Sequence, residues 1–81
     1  MNNEISYQGL AFVSFESLSE SSSVELIEII LSDHGNSIFE LRSTKQLPAR
    51  RVTITPVNQL SMQGTVLSQS SGVTIFRISE F

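Results

Sequence analysis

Apolar residues are densest in Val24-Glu25-Leu26-Ile27-Glu28-Ile29-Ile30-Leu31. This run lies between a serine cluster, Ser19 to Ser23 broken only by Glu20, and the turn signal Asp33-His34-Gly35-Asn36. Two elements compete for it. At 100° per residue, Glu25, Glu28 and Ser32 share a narrow polar stripe. Ser22 with Glu25 then fits a capping box and Gly35 fits a helix C-cap. As a strand, the run places Ile27, Ile29 and Leu31 on one face and Glu28 and Ser32 on the other, with Ile30 as the exception. Its β-branched residues also suit extended backbone. Periodicity inside the run does not separate the two readings.

The flanking segments do. Leu10 to Leu18 alternates, with Ala11, Val13 and Phe15 on one face and Ser14 and Glu16 on the other. Folded back over the serine cluster, it sets Phe15 opposite Ile27, Val13 opposite Ile29 and Ala11 opposite Leu31. Ile38-Phe39-Glu40-Leu41-Arg42 folds back over the His34-Gly35-Asn36 turn, with Phe39 opposite Leu31 and Leu41 opposite Ile29. One apolar face then runs across three strands, and a one-residue slip would destroy it. A β-meander is therefore preferred, with α+β, one helix at about 23–33 packed on an antiparallel sheet, as the alternative.

Further along, Ser43 to Ala49 reads as a connection containing Pro48, and Arg51 to Thr55 as a strand closed by Pro56. Asn58 to Gln63 reads as a loop or a single helical turn. Thr65 to Ser68 and Val73 to Ser79 read as a hairpin around Ser70-Ser71-Gly72, with Gly64 marking a bulge. Residues 1–8 read as a partly ordered lead-in in which Ile5 and Tyr7 form a brief edge strand. The fold class expected is all-β, a small six-stranded antiparallel barrel or sandwich within one domain, 1–81. Val13, Phe15, Ile27, Ile29, Leu31, Phe39, Leu41, Val52, Ile54, Val66, Ile75 and Ile78 are expected in its core.

Composition narrows the class. Of the 81 residues, 40% are hydrophobic and none is cysteine, which removes disulfides and thiolate metal sites. No apolar run approaches the ~18–20 residues that span a bilayer. The first residues lack the basic and apolar regions of a signal peptide. A soluble cytoplasmic protein with no membrane partner is the expectation.

The chemistry checklist is thin. His34, the single histidine, reads as an exposed turn residue, and with Asp33 it makes no closed metal shell. No serine sits in a Gly-x-Ser-x-Gly elbow, and the four glycines form no phosphate loop. Carboxylates on solvated strand faces account for the glutamates. The expectation is a non-enzyme with no catalytic residue, metal, cofactor or small-molecule substrate.

Charge order changes the picture. Residues 1–41 hold seven acids (Glu4, Glu16, Glu20, Glu25, Glu28, Asp33, Glu40) and no Lys or Arg. Residues 42–81 hold Arg42, Lys45, Arg50, Arg51 and Arg77 against Glu80 alone. The halves carry −7 and +4, together the net −3. Such asymmetry points to charged partners, unless the folded chain cancels it internally. If it persists, an acidic surface (Glu16, Glu20, Glu25, Glu28) suits a basic protein partner. A basic cluster (Arg42, Lys45, Arg50, Arg51) on a small barrel suits nucleic-acid phosphates, although no aromatics interleave it. Acidic and basic faces on two copies suit heterologous self-association into rings or filaments. A non-catalytic protein-interaction module, meaning an assembly subunit, adaptor or small inhibitor, is the reading preferred. A nucleic-acid-binding barrel is the alternative.

Overall fold

A computed structural model describes residues 4–17 and 23–80. It is all-β: β1 (Glu4–Glu16), β2 (Val24–Gly35), β3 (Ile38–Ser43), β4 (Arg51–Pro56), β5 (Met62–Ser70) and β6 (Val73–Glu80). The strands close into an antiparallel barrel in the order β1-β2-β3-β6-β5-β4, with β4 pairing back onto β1. The barrel measures 36 × 25 × 25 Å. Every strand has two hydrogen-bonded neighbours, but the pairing is staggered: residues 4–10 of β1 ladder only with β2, and residues 24–28 of β2 only with β1.

The competition at 24–31 resolves as a strand, and the helix at 23–33 is overturned. The run buries one alternate set, Ile29 and Leu31, while its β1 neighbour buries Ala11, Val13 and Phe15. No helix could present Ile29 and Leu31 to both β1 and β3 at once.

Both expected registers need correction. In β1–β2, Ala11 rather than Phe15 lies opposite Ile27, and Tyr7 rather than Ala11 lies opposite Leu31. That is a slip of four residues. In β2–β3, Leu41 lies opposite Leu31 and Ser43 opposite Ile29, a slip of two. Both slips are even, so every side chain keeps its face. The turn chemistry explains the second. The two-residue loop is Asn36-Ser37, and both residues take positive φ (56° and 64°) as a type I′ turn requires. Strand β2 therefore runs on through His34 to Gly35 instead of turning there.

β1 begins at Glu4, so the proposed edge strand around Ile5 and Tyr7 is its first half, joined to the rest through a bulge between Ile5 and Tyr7. β5 starts at Met62, earlier than expected, with a bulge at Gln63/Gly64. The Ser71-Gly72 turn is as expected.

The core is Ala11, Val13, Phe15, Ile29, Leu31, Leu41, Val52, Ile54 and Phe76, with Ile27, Phe39, Val66 and Ile78 packed against it. Ile75 is the exception among the residues expected inside. Ile75 and Ile78 have opposite parity on β6 and cannot both point inward. Phe76, fully buried, takes the inner set with Thr74 and Ile78, and Ile75 is left half-buried on the outer set.

Two glutamines fasten the connection between β3 and β4. Gln46 Nε2 donates to Val73 O and to Thr74 Oγ1, both at 2.8 Å, and its Oε1 accepts from Gly72 N at 3.1 Å. Gln69 accepts from Ala49 N at 3.0 Å and donates to Leu47 O at 2.8 Å. Together they tie residues 46–49 onto the β5–β6 hairpin.

Candidate interaction surface

The charge split along the chain is only partly a split in space. β2 and β5 lie on opposite sides of the six-strand ring, but β5 is uncharged, and β4, which carries Arg51, pairs with β1. β1 and β2 carry Glu4, Glu16, Glu25, Glu28 and Asp33 and no Lys or Arg. β4 and β6 carry Arg51 and Arg77, with Arg50 immediately before β4.

Part of the basic cluster is neutralised. Arg42 Nε donates to Glu40 Oε2, and Lys45 Nζ donates to Glu25 Oε1 at 2.7 Å. The second pair joins the acidic half of the sequence to the basic half, so internal cancellation holds for Glu25 and Lys45. Glu16 and Arg51 are register partners between β1 and β4, yet their side-chain hydrogen bonds go elsewhere. Glu16 Oε2 accepts from Thr53 Oγ1 at 2.9 Å, and Arg51 Nη2 donates to Gln63 Oε1 at 2.7 Å. Glu28 is exposed on β2 and Arg50 is exposed beside β4. Glu20 lies outside the described residues.

The four cations of 42–51 are thus not one patch. Register builds a different one. Arg51 on β4 lies opposite Thr65 on β5, and Thr65 lies opposite Arg77 on β6, all three exposed. With adjacent strands ~4.8 Å apart, the two arginines project from backbones ~10 Å apart. Leu67, two residues beyond Thr65 and 48% exposed, lies at the next β5 bulge. Sequence spacing gave no sign of this row, because 26 positions separate Arg51 from Arg77 and only the barrel register aligns them.

The acidic side carries an apolar ladder. Phe12 on β1 lies directly opposite Leu26 on β2, Leu10 lies opposite Glu28, and Ser14 lies opposite Val24. Leu10, Phe12, Val24 and Leu26 are 44–65% exposed. Val57 N donates to Leu10 O at 3.3 Å, which brings a further exposed apolar side chain alongside. A signal for this was present in the chain. Leu10 and Phe12 fall on the face of β1 shared with Ser14 and Glu16, where a simple barrel strand would be polar.

The other titratable grouping is Glu40 with His34 and Arg42. Glu40 is buried at 9% exposure, correcting the expectation of solvated carboxylates, and His34 is half-buried in β2 instead of exposed in a turn. His34 Nε2 lies 3.1 Å from Glu40 Oε1. The Arg42 hydrogen bond holds the Glu40 carboxyl below the ordinary carboxylate range. Burial opposes that shift, and the His34 bond adds to it. Both carboxylate oxygens are occupied, so the group serves as a cross-strand tie. Among the described residues, no three His, Asp or Glu side chains come together in a way that could hold a metal ion. An open depression of about 350 Å³ lies over Ile30 and Val73, beside Glu28 and Arg42.

Comparison with known proteins yields no family model, no curated protein and no solved structure that matches this chain.

Proposed function

We propose that the protein is a non-catalytic protein–protein interaction module, an assembly subunit or adaptor, working through the outer face of β1–β2. The observation that carries this is the ladder Leu10, Phe12, Val24 and Leu26, 44–65% exposed on strands that bear acids and no cations. Exposed apolar side chains rimmed by one sign of charge are the surface chemistry of a docking site. A partner that fits this surface meets its side chains. Such a partner has an apolar patch with a cationic rim. The apolar ladder supplies burial, while Glu28 steers approach and fixes orientation.

The nucleic-acid reading has less support. Arg42 and Lys45 are already paired with Glu40 and Glu25. Arg51 and Arg77 have no aromatic beside them in register, only Glu16, Thr65 and Ile38, and stacking platforms are what hold single strands.

Site-specific photo-crosslinking tests the proposal. A photoreactive residue in place of Phe12, expressed in the native host, is expected to give discrete protein adducts whose crosslinked peptides contain Lys or Arg. The same group in place of Asp33, exposed at the other end of β2, is expected to give none. Adducts to nucleic acid at position 12, or equal labelling at both positions, would overturn the proposal.

A further inference from the structure

We infer that the partner is a second copy of this chain, which seats its β4–β5–β6 face on the β1–β2 face of the first. The inference rests on the reading that β1–β2 is the working surface, and it names the occupant.

The complement that the β1–β2 face requires is an apolar patch with a cationic rim. The β4–β5–β6 face offers an exposed apolar side chain with cations beside it. On the outside of β4–β5–β6, Arg51 and Arg77 flank Thr65, and Leu67 stands exposed beside the row. Facing it, Glu28 lies next to Leu10, and Phe12 lies next to Leu26. Apolar side chains meet apolar side chains, and two guanidinium groups meet carboxylate. Arginine suits this contact, because its planar fork binds carboxylate in a bidentate manner and is weakly hydrated.

Placement completes the case. The basic row is centred on β5 and the apolar ladder on β1–β2; β4 borders β1, but the row and the ladder use different residues, so one copy can use both at once. The contact joins unlike surfaces and is therefore heterologous: it propagates into a ring if the rotation closes and into a filament if it does not. The barrel is 25 Å across, which sets the spacing of successive copies.

Sedimentation velocity on three proteins tests this. The wild type is expected to sediment as species larger than one chain, growing with concentration and reverting to monomer when salt is raised from about 50 to 500 mM. The double variant Arg51→Glu/Arg77→Glu keeps the acidic face and loses the basic one. The double variant Phe12→Arg/Glu28→Arg does the reverse. Each alone is expected to be a monomer. Mixed, they still hold one intact face each and are expected to form a 1:1 heterodimer that grows no further. All four positions are exposed, so circular dichroism of each variant is expected to match wild type. If the Arg→Glu pair unfolds, Arg51→Gln/Arg77→Gln takes its place, with the same expectation.

A wild type that stays monomeric at low salt and at the highest attainable concentration would overturn the inference. So would self-association that survives in either variant, or a mixture that stays monomeric. The crosslinking readout separates this failure from that of the underlying reading. A monomeric wild type that still crosslinks a different protein at position 12 removes self-assembly and leaves the β1–β2 docking face. A monomer that crosslinks nothing removes both.

Discussion

Glu40 shows how a single side chain can differ from what its sequence context suggests. Alternation places it on the outer face of β3, where carboxylates are normally solvated. The barrel instead lays Ser32 and Ile75 on either side of it and buries it, with His34 and Arg42 taking its two oxygens. Because the folded carboxyl titrates below its ordinary value, the folded state holds the proton less tightly than the unfolded one. The stabilisation is therefore complete near neutral pH and is lost as pH falls through the lowered value. Glu40→Gln is expected to lower stability at pH 7 by about 1 kcal/mol, at the low end for charge-assisted bonds because the Arg42 side chain is 60% exposed. Urea midpoints of the two proteins are expected to converge below about pH 4. A gap that stays constant down to pH 3 would mean that the charge on Glu40 is immaterial. Ser14 is the opposite case: its hydroxyl is buried without a hydrogen-bond partner and adds a cost instead of a tie. Neither environment was legible beforehand, since each depends on which strands lie on either side.

Among the elements, strand identity was legible and register was not. Period-two alternation marks β1, β2, β3 and β4, and it fixes which face of each is buried. Pairing is set by turns and bulges, whose geometry reads weakly from sequence when no Asn-Gly or Asp-Gly dipeptide occupies the loop. The even slips in β1–β2 and β2–β3 left the core list nearly intact for this reason. β6 is apolar on both faces, so alternation could not choose between Ile75 and Phe76. Gly64 in β5 makes the choice visible, because it leaves room for Phe76. A Cβ at position 64 would collide with the Phe76 ring and come within 2.7 Å of Arg77 O. Gly64→Ala gains ~0.4–1 kcal/mol by stiffening the unfolded chain. Overpacking costs ~1–3 kcal/mol, and here backbone is one of the obstacles, so the clash dominates. The variant is expected to be less stable by about 1–2 kcal/mol in chemical denaturation. Equal or greater stability would show that Phe76 and the β5–β6 ladder can shift freely.

For the molecule as a whole, closure is the property with the widest consequences. It sets the acidic strands β1 and β2 side by side, which is the part of the candidate site that the charge order foreshadowed, and it also brings β4 with Arg51 against β1. It also aligns Arg51 with Arg77, which no local pattern encodes. The same closure couples stability around the ring. Each strand depends on two neighbours, so no hairpin can open without breaking a second ladder. Ile29 tests this, being 2% exposed on β2 between β1 and β3. Ile29→Ala removes three buried carbons and leaves a cavity, a change that costs about 2–5 kcal/mol. A core of this size nets only ~3–5 kcal/mol, so the loss is comparable with the whole stability. Native-state hydrogen exchange is expected to show protection falling together in all six strands, including β5 on the far side of the barrel. Protection lost only in β1, β2 and β3 would mean that the barrel opens as separate sheets and that closure does not make it one cooperative unit.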